Sequence, residues 1–276
     1  MPIYKGNQKI ETLYHGSTKI GYVYKGSTLV YNSKGTGNTI FESDVGGTYT
    51  VKLPANSGLY EVICVGAGGM STIQCYGENN GSMATGGSGA AFVGRFRLNA
   101  GNYTVHVGEV KDIRYNKYTL ADYNNLVNAN SSISNVLTAG GGSAGTVYSK
   151  VGYVNENNRT SVAGTGGKIT LIATPTATTM NKAGNNGSTY VGPKGGNDSS
   201  TGTASGVIYV NRVASVYQPS LTRTESLKSV SGWDRTFSNT NYGYGAGGAG
   251  STSEYVGRSS ILLPMGGYVK ISYIGD

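Results

Sequence analysis

The sequence predicts an all-β fold, and three observations support this prediction. Glycine supplies 45 of the 276 residues and comes in blocks separated by short apolar runs such as residues 59–65 and 103–107. No sustained apolar stripe with i, i+3, i+4 spacing occurs, so amphipathic helices are not expected. The sequence as a whole is rich in Gly, Asn, Ser, Thr, Tyr and Val, as is typical of strands, turns and extended coil.

The glycine blocks belong to a folded domain and not to a linker. A disordered chain is usually poor in aromatic residues and rich in charge, whereas this chain has 22 tyrosines and only 13% charged residues. Glycine then serves close backbone packing, since it has no Cβ. The main blocks cover residues 66–69, 86–89, 140–145, 164–167, 192–196 and 243–250.

Charge and cysteine content narrow the function classes. The net charge of +8 is scattered without a basic cluster, so nucleic acid is not an expected partner. No apolar run approaches eighteen residues, so no membrane insertion is expected, and the start lacks a secretory-signal pattern. Cys64 lies in an apolar run and is expected to be a small buried hydrophobe. With only two cysteines there is no disulfide framework, and we expect folding in a reducing cytoplasm.

The first thirty residues contain a repeat with a period of ten, with Tyr4, Tyr14 and Tyr24 at equivalent positions. Each copy has a strand, a glycine turn and a second strand, which predicts a small β-meander. Such a meander is too thin to bury a core alone, so residues 1–36 are predicted to dock onto other proteins through these tyrosines. The alternative is that they pack on the domain that follows.

Further strands follow a short junction at residues 33–37. Residues 59–65 form the first buried strand. The segment 91–98 alternates apolar and polar positions, residues 99–102 are predicted to turn, and residues 103–107 to return as a strand. The remaining predicted strands are 39–41, 49–54 and 267–274.

Three polar stretches that contain scattered aromatic residues, at 111–130, 146–160 and 207–242, are predicted to be loops or small excursions that project from the glycine scaffold. Tyr, Trp and Arg dominate binding energy at interfaces, and Ser, Gly and Asn add adaptable hydrogen bonds. The alternative is that these aromatic side chains pack onto the glycine surfaces as scaffold. The candidate receptor-binding residues are Tyr115, Tyr118, Tyr123, Tyr148, Tyr153, Arg159, Tyr217, Trp233 and Arg235.

Catalytic motifs in the sequence are chance matches. The Gly243, Gly245, Gly248 spacing matches a dinucleotide fingerprint, but no predicted helix follows it. Ser143 lies in a nucleophile-elbow pattern, yet the two histidines, His15 and His106, are expected to be structural. Without clustered metal ligands we expect no metal, no cofactor and no enzyme activity, although paired carboxylates that cleave glycosides remain an open alternative.

The order of these blocks resembles the glycine-rich domain of phage tail-fibre adhesins and other phage appendage proteins. The resemblance covers roughly residues 38–276. It starts with an apolar strand that runs into a glycine block at residues 62–69 and continues with Gly-Gly-Ser-Gly-Ala-Ala-Phe at 86–92. It includes Ser-Ser-Ile-Ser at 131–134, which leads to glycines at 140–142, and it closes with Met-Gly-Gly-Tyr-Val-Lys-Ile at 265–271.

The resemblance implies a detailed fold. The expectation is an all-β protein with polyglycine-II-like segments: a small N-terminal β-meander (1–36) followed by a glycine-rich, β-sandwich-like display domain (37–276). Polyglycine-II helices have no internal hydrogen bonds, so their backbone groups must bond to neighbouring helices. Strands at 59–65, 91–98, 103–107 and 267–274 would form an adjoining sheet.

The resemblance also implies a function. The chain is expected to be a phage virion protein that attaches the particle to its host, an adhesin whose loops bind a host surface protein or glycan while residues 1–36 bind other virion proteins. The alternative is a viral structural protein, such as a head fibre, capsid decoration or tail component. A carbohydrate-active enzyme is a third interpretation. Two assemblies stay open, a homotrimer and a single-copy cap.

Overall fold

The structure is a computed structural model that describes only part of the 276-residue chain. The described residues are 4–5, 8–9, 13–15, 18–20, 22–25, 28–32, 38–75, 81–110, 129–149, 159–191, 208–210, 214–218, 222–229, 235–240, 243–252, 259–262 and 264–275.

The fold is all-β throughout the described residues, which contain no helix and therefore none long and apolar enough to cross a membrane. This confirms the predicted fold class at the level of secondary structure. In chain order the strands are β1 Tyr4–Lys5, β2 Gln8–Lys9, β3 Leu13–His15, β4 Thr18–Ile20, β5 Tyr22–Lys25, β6 Thr28–Asn32, β7 Asn38–Ser43, β8 Gly47–Val65, β9 Thr72–Cys75, β10 Gly81–Ala84, β11 Ala91–Val107, β12 Ser131–Ile133, β13 Leu137–Ala139, β14 Thr146–Ser149, β15 Arg159–Val162, β16 Ile169–Leu171, β17 Ala177–Lys182, β18 Thr189–Val191, β19 Ile208–Val210, β20 Thr222–Ser229, β21 Arg235–Thr240, β22 Ala249–Thr252, β23 Ser259–Leu262 and β24 Tyr268–Gly275.

Each copy of the N-terminal repeat forms an antiparallel pair of strands: β1 with β2, β3 with β4, and β5 with β6. In the first copy Lys5 pairs with Gln8, which leaves two residues for the connection. The pairing described for this region lies within the copies, so the repeat unit is a hairpin. Tyr4, Tyr14 and Tyr24 each lie on the first strand of their hairpin.

The main sheet has eight antiparallel strands in the order β16-β13-β12-β11-β8-β24-β7, with β17 also paired to β11. At its centre β8 and β11 pair along nearly their whole length, from Ala91 opposite Val65 to Val107 opposite Gly47. The strands predicted at 59–65, 91–98, 103–107 and 267–274 all lie in this sheet, which confirms that part of the prediction.

The predicted turn at residues 99–102 is wrong, because β11 continues through it as a strand. The register shifts between Asn99, opposite Ser57, and Gly101, opposite Leu53, so the longer stretch of β8 bulges at this point. Pro54, which has no N–H to donate, lies in the bulge, where proline is tolerated in a sheet. Long-range pairing with β8 thus overrides the local turn preference of Asn and Gly.

The larger hydrophobic cluster of the described residues takes side chains from both halves of the long strands. Tyr60, Val62 and Phe92 come from one half, and Leu53 and Val105 from the other. In β11 the positions alternate between buried and exposed from Phe96 to Asn99, as expected of a strand with one face on the core.

Smaller sheets account for the other described strands. A three-stranded sheet has the order β18-β10-β9, a hairpin joins β14 to β15, and a five-stranded sheet has the order β19-β22-β23-β20-β21. All of their described pairings are antiparallel.

Replacement of Phe96 by alanine should destabilise the fold strongly. The Phe96 ring is fully buried and lies 5.4 Å from the Phe92 ring, centroid to centroid. We expect a loss of about 3–5 kcal/mol in the free energy of unfolding, measured by chemical denaturation. The adjacent Arg97→Ala, at an exposed position, should change it by less than about 0.5 kcal/mol. Equal effects of the two substitutions would contradict the assigned core face.

Candidate functional site

The glycine blocks form a bundle of segments beside the main sheet. In the described residues this glycine bundle comprises seven non-strand segments, and consecutive bundle segments in the chain are separated by strands. The segments are 66–70, 85–90, 140–145, 163–168, 184–188, 243–248 and 264–267.

In five of the bundle segments, backbone N–H groups three residues apart donate to the same neighbouring segment; these are segments 66–70, 85–90, 140–145, 163–168 and 184–188. In segment 66–70, Gly66 and Gly69 donate to the carbonyls of Ala90 and Gly87, both in segment 85–90, at 3.0 and 2.8 Å. Between them, Ala67 donates to Ala129 and Gly68 to Met265. Successive N–H groups thus donate to different neighbours, and the fourth N–H donates to the same segment as the first.

Segment 85–90 lies at the centre of the bundle. Thr85 and Ser88 donate to segment 184–188, Gly87 and Ala90 donate to segment 140–145, and Gly89 donates to Gly245. Its carbonyls accept hydrogen bonds from segments 66–70 and 163–168. Five neighbouring segments therefore surround it, and backbone groups that would be costly to bury alone have partners.

The register of these hydrogen bonds gives the bundle two distinct ends. Segment 66–70 runs antiparallel to 85–90 and parallel to 140–145, where Gly142 donates to Ala67 and Gly145 to Met70. One end is here called the proximal end. There, six of the seven segments lead into strands of the main sheet, either immediately or after a residue or two. At the other, distal end, all seven continue into the smaller sheets and the β14–β15 hairpin.

Glycine is required in the bundle because the backbones approach too closely for a side chain. A Cβ added at Gly89 would overlap the carbonyl of Gly66, and one added at Gly68 would overlap the carbonyl of Ala246. The Cα hydrogens face these oxygens, an arrangement that permits weak Cα–H···O contacts. Each of these glycines therefore marks a backbone-to-backbone contact.

Short polar side chains replace backbone acceptors where the bundle contains other residues. Ser88 Oγ accepts the N–H of Asn185 at 2.8 Å, and Ser143 Oγ accepts that of Thr165 at 2.7 Å. Asn130 Oδ1 accepts the N–H of Gly141 at 2.9 Å. The Ser, Thr and Asn residues interspersed with glycine thus add side-chain acceptors to the backbone hydrogen bonds of the bundle.

The structure places some of the predicted receptor-binding residues at the distal end. Tyr148 and Arg159 lie on the paired strands β14 and β15, directly beyond segments 140–145 and 163–168. Arg235 lies at the start of β21, in the five-stranded sheet. Predictions for Tyr115, Tyr118, Tyr123, Tyr153 and Trp233 lie outside the described residues.

Tyr217 is the predicted site residue whose side chain is described, and it belongs to a stack of tyrosines. Its ring lies 6.2 Å from that of Tyr268, with 14° between the planes, and the rings of Tyr268 and Tyr244 lie 4.3 Å apart at 4°. Tyr244 and Tyr268 are buried beside Val65, and Tyr217 is partly buried. Sequence reasoning missed Tyr244 and Tyr268, since they come from a glycine block and a strand end with no shared spacing.

A carboxylate anchors this tyrosine stack to the sheet. Tyr268 Oη donates to Glu42 Oε1 at 2.7 Å, and Lys270 Nζ donates to Glu42 Oε2 at 3.0 Å. These two hydrogen bonds hold the pKa of Glu42 below its ordinary value. Burial, followed by the bond to Glu42, raises the pKa of Tyr268, and burial with the nearby carboxylates of Glu42 and Glu61 raises that of Tyr217.

The residues weighed for catalysis have structural partners. His106 Nδ1 lies 3.0 Å from Thr48 Oγ1 across the β8–β11 pair. Ser143 leads into strand β14 and not into a helix, and its hydroxyl bonds within the bundle. Cys64 is fully buried, as predicted, and burial raises the pKa of its thiol to about 12. The described residues hold no cluster of three or more His, Cys, Asp or Glu.

Comparison with known proteins adds no relative. No protein-family model and no curated protein matches the chain. The resemblance to the glycine-rich domain of phage adhesins therefore stays a prediction from the sequence.

Gly89→Ala should disrupt the bundle, because its Cβ would overlap the Gly66 carbonyl and a whole segment would have to move. We expect a loss of about 3 kcal/mol or more in the free energy of unfolding, measured by urea denaturation.

The matched control is Gly266→Ala, in another bundle segment. There a Cβ would lie 3.6 Å from the Asp44 oxygen and 3.7 Å from the Gly108 oxygen, which is ordinary contact. Its unfolding free energy should stay within about 1 kcal/mol of the parent protein's. Tolerance of alanine at Gly89 would contradict the packing of the bundle.

The anchor at Glu42 should make stability depend on pH in the acid range. Since the folded state lowers the pKa of Glu42, its contribution is present above the unfolded-state pKa and is lost as the pH falls through the folded-state value. The melting temperature should therefore decrease as the pH falls from 7 to about 3. Tyr268→Phe removes the largest cause of the shift, so its decrease should be shallower, whereas Tyr103→Phe should leave the slope unchanged. Equal slopes in all three proteins would contradict this assignment.

Proposed function

We propose that this protein is a phage virion appendage protein that acts as a receptor-binding adhesin at a tail or fibre tip. In this proposal residues 1–36 bind other virion proteins through the hairpins that carry Tyr4, Tyr14 and Tyr24. Residues 37–276 display the residues that bind a host surface protein or glycan. The protein is exposed on the virion surface and catalyses no reaction.

The observation that carries the proposal is the two-ended bundle. Glycine backbones in direct contact leave little room for the segments to move relative to one another. Protein interiors are packed as densely as organic crystals and have low compressibility, so such a bundle resists deformation. The bundle is therefore a stiff spacer with the main sheet at one end and the smaller sheets and the β14–β15 hairpin at the other. Such a spacer suits a protein that must hold a contact surface away from the particle.

We further propose that the bundle segments are polyglycine-II-like helices. The three-residue period of the N–H donors and the lateral direction of the bonds support this assignment, since a helix of that kind has three residues per turn and no internal hydrogen bonds. We also propose that the two halves of the long strands face each other as a β-sandwich, because both halves contribute to one core.

The distal end is the surface we assign to the receptor. Every bundle segment continues there into the smaller sheets or the β14–β15 hairpin, which includes Tyr148 and Arg159. Substitutions in these connections leave the glycine contacts intact, so receptor specificity can change without loss of the fold.

The second candidate function is that of a structural virion protein, such as a head fibre, capsid decoration or tail component. The packing of Tyr217 favours it, because this candidate recognition residue shares a stack with Tyr268 and Tyr244. In that case the tyrosines stabilise the scaffold, and the bundle supplies rigidity alone.

Adsorption to bacterial cells tests the adhesin function. The labelled full-length chain should bind cells of a susceptible strain, and the Tyr148→Ala/Arg159→Ala double variant should lose at least about tenfold in affinity, as expected for contact residues. The control is Thr50→Ala/Lys52→Ala, at exposed positions of β8 in the main sheet, which should bind like the parent protein. Thermal melting of each variant should show that its fold is retained. If the parent chain is incorporated into particles but adsorbs to no strain that the phage infects, the structural alternative replaces the adhesin.

A further inference from the structure

The first half of the long strand β8 has one edge without a partner among the described strands. Along residues 59–65 this strand lies between β11 and β24. Along residues 47–53 the only described strand paired with it is β11. The side of residues 47–53 that faces away from β11, here called the β8 edge, therefore presents backbone groups that no described strand bonds.

The hydrogen bonds of Thr104 in β11 show which groups point to the β8 edge. Thr104 lies opposite Thr50, yet both of its backbone groups bond on the other side of β11: its N–H donates to Ser134 Oγ and its carbonyl accepts the N–H of Ser134, each at 2.9 Å. In an antiparallel ladder such a pair exchanges no hydrogen bonds, and pairs of this kind recur at every second residue. The N–H and C=O groups of Thr48, Thr50 and Lys52 therefore point away from β11.

The β8 edge has few of the features that protect exposed strands from pairing. Its register with β11 is regular, it contains no proline, and Lys52 is its one charged residue. Natural edges are usually interrupted by proline, bulges or several charges, or are covered by another element. Beside this edge the partly buried ring of Tyr49 lies 5.2 Å from that of Phe41 in β7, centroid to centroid. An added strand would continue the ladder next to this pair of rings.

Strand β6 of the N-terminal repeat lies close enough to occupy this edge. Cα atoms of β6 lie within 8 Å of Cα atoms of β8. Among the described strands β6 is paired with β5 alone, so its other edge can accept a partner. On the side of β8 opposite β11, β24 occupies residues 59–65 and the bulge takes up residues 54–56. The β8 edge is therefore the regular stretch on which β6 can pair.

The middle of β8 and the start of β7 lie at the same end of the main sheet. Val65 leads directly into a bundle segment, and Gly47 pairs with the end of β11 just before Gly108, which accepts a hydrogen bond from the bundle. Both ends of β8 thus lie at the bundle, and Leu53, near its middle, is remote from it. Asn38 of β7 pairs near the far end of β24, so it is remote from the bundle as well.

The linker between β6 and β7 favours a parallel arrangement of β6 and β8. Residues 33–37 join Asn32 to Asn38, and this path spans at most about 21 Å. If β6 runs parallel to the β8 edge, Asn32 lies near Leu53 and well within that reach. In the antiparallel arrangement Asn32 would lie at the Gly47 end, about 20 Å along the strand, and the linker would be exhausted before it crossed to β7.

We propose that β6 adds to the β8 edge as a parallel strand, so that the third hairpin of the repeat docks on the main sheet. Thr48, Thr50 and Lys52 hold it through main-chain hydrogen bonds, as in other cases where a strand extends a sheet. The connection from β6 to β8, residues 33–46, has the length that a parallel pair requires, about a dozen residues or more.

This docking assigns different roles to the three copies of the repeat. The third hairpin packs on the domain that follows, while the hairpins β1–β2 and β3–β4 stay available to another protein. Because β5 begins opposite Asn32, these two hairpins leave the molecule at the end of the main sheet remote from the bundle. The inference goes beyond the proposed function and does not rest on it.

Amide hydrogen exchange in the full-length chain, followed by NMR, tests the docking. In the parent protein the amides of Thr48, Thr50 and Lys52 should exchange at least about a hundredfold more slowly than those of an unstructured chain, because paired amides exchange only when the structure opens. NOEs should also connect the backbone protons of residues 28–32 with those of residues 48–52, a readout that needs no variant.

Val30→Pro in β6 should release the β8 edge. Proline has no N–H and is not tolerated inside a paired strand, so exchange at Thr48, Thr50 and Lys52 should accelerate at least about tenfold. The amide of Val51 points to β11 and should be unaffected, which shows that the main sheet is intact. The matched control is Ile20→Pro, at the equivalent position of the second copy, which should leave exchange at the β8 edge as in the parent protein.

Four results would overturn the inference. The first is rapid exchange at the β8 edge in the parent protein, and the second is protection that Val30→Pro retains. The third is protection that depends on protein concentration, which would assign the edge to a second copy of the chain. The fourth is equal loss of protection in Val30→Pro and Ile20→Pro. Since none of these measurements uses cells, failure of the adhesin function, which is loss of adsorption, would leave the docking intact.

Discussion

The fold depends on the absence of Cβ atoms where polypeptide backbones meet. At Gly68 and Gly89 the neighbouring carbonyl occupies the space that a side chain would need. This close approach lets the N–H groups of one segment reach carbonyls in several others, so the backbone satisfies its own hydrogen bonds without a ladder of paired strands. The entropy that glycine loses on folding is offset because seven segments order together, and each one completes the bonds of its neighbours.

The bundle cannot define its own register, since glycine has no side chain to distinguish one neighbour from the next. Two other features supply this information. Ser88, Ser143 and Asn130 each accept one specific N–H, which marks a position along a segment. The strands of the main sheet fix where each segment begins, through the side-chain packing of residues such as Phe92 and Ile271. The hydrophobic core therefore aligns the bundle, and the bundle holds the smaller sheets.

The sequence predicts these two parts to different degrees. Period-two alternation at 91–98 and 267–274 identified strands of the main sheet, because burial of one face leaves a pattern in the residues themselves. The continuous strand through Asn99 was missed, since pairing with β8 across some forty residues leaves no local signal. Which glycine segments are neighbours could not be predicted either, because contacts between bare backbones leave no side-chain pattern. The tyrosine stack was hidden for a related reason: Tyr217, Tyr244 and Tyr268 are brought together only by the folded bundle.

The tyrosine stack is also relevant to the choice between the two candidate functions, a protein that binds a receptor and a protein that is only structural. A tyrosine that serves the scaffold alone gains most when it is fully buried, as Tyr60 is in the core. Tyr217 instead stays partly exposed, while Tyr244 and Tyr268 of the same stack are buried. The buried pair stabilises the junction between bundle and sheet, and the outer ring remains available for contact. One aromatic cluster can therefore both stabilise the scaffold and contact a partner, because Tyr244 and Tyr268 hold the Tyr217 ring in place while the exposed part of that ring stays free of them.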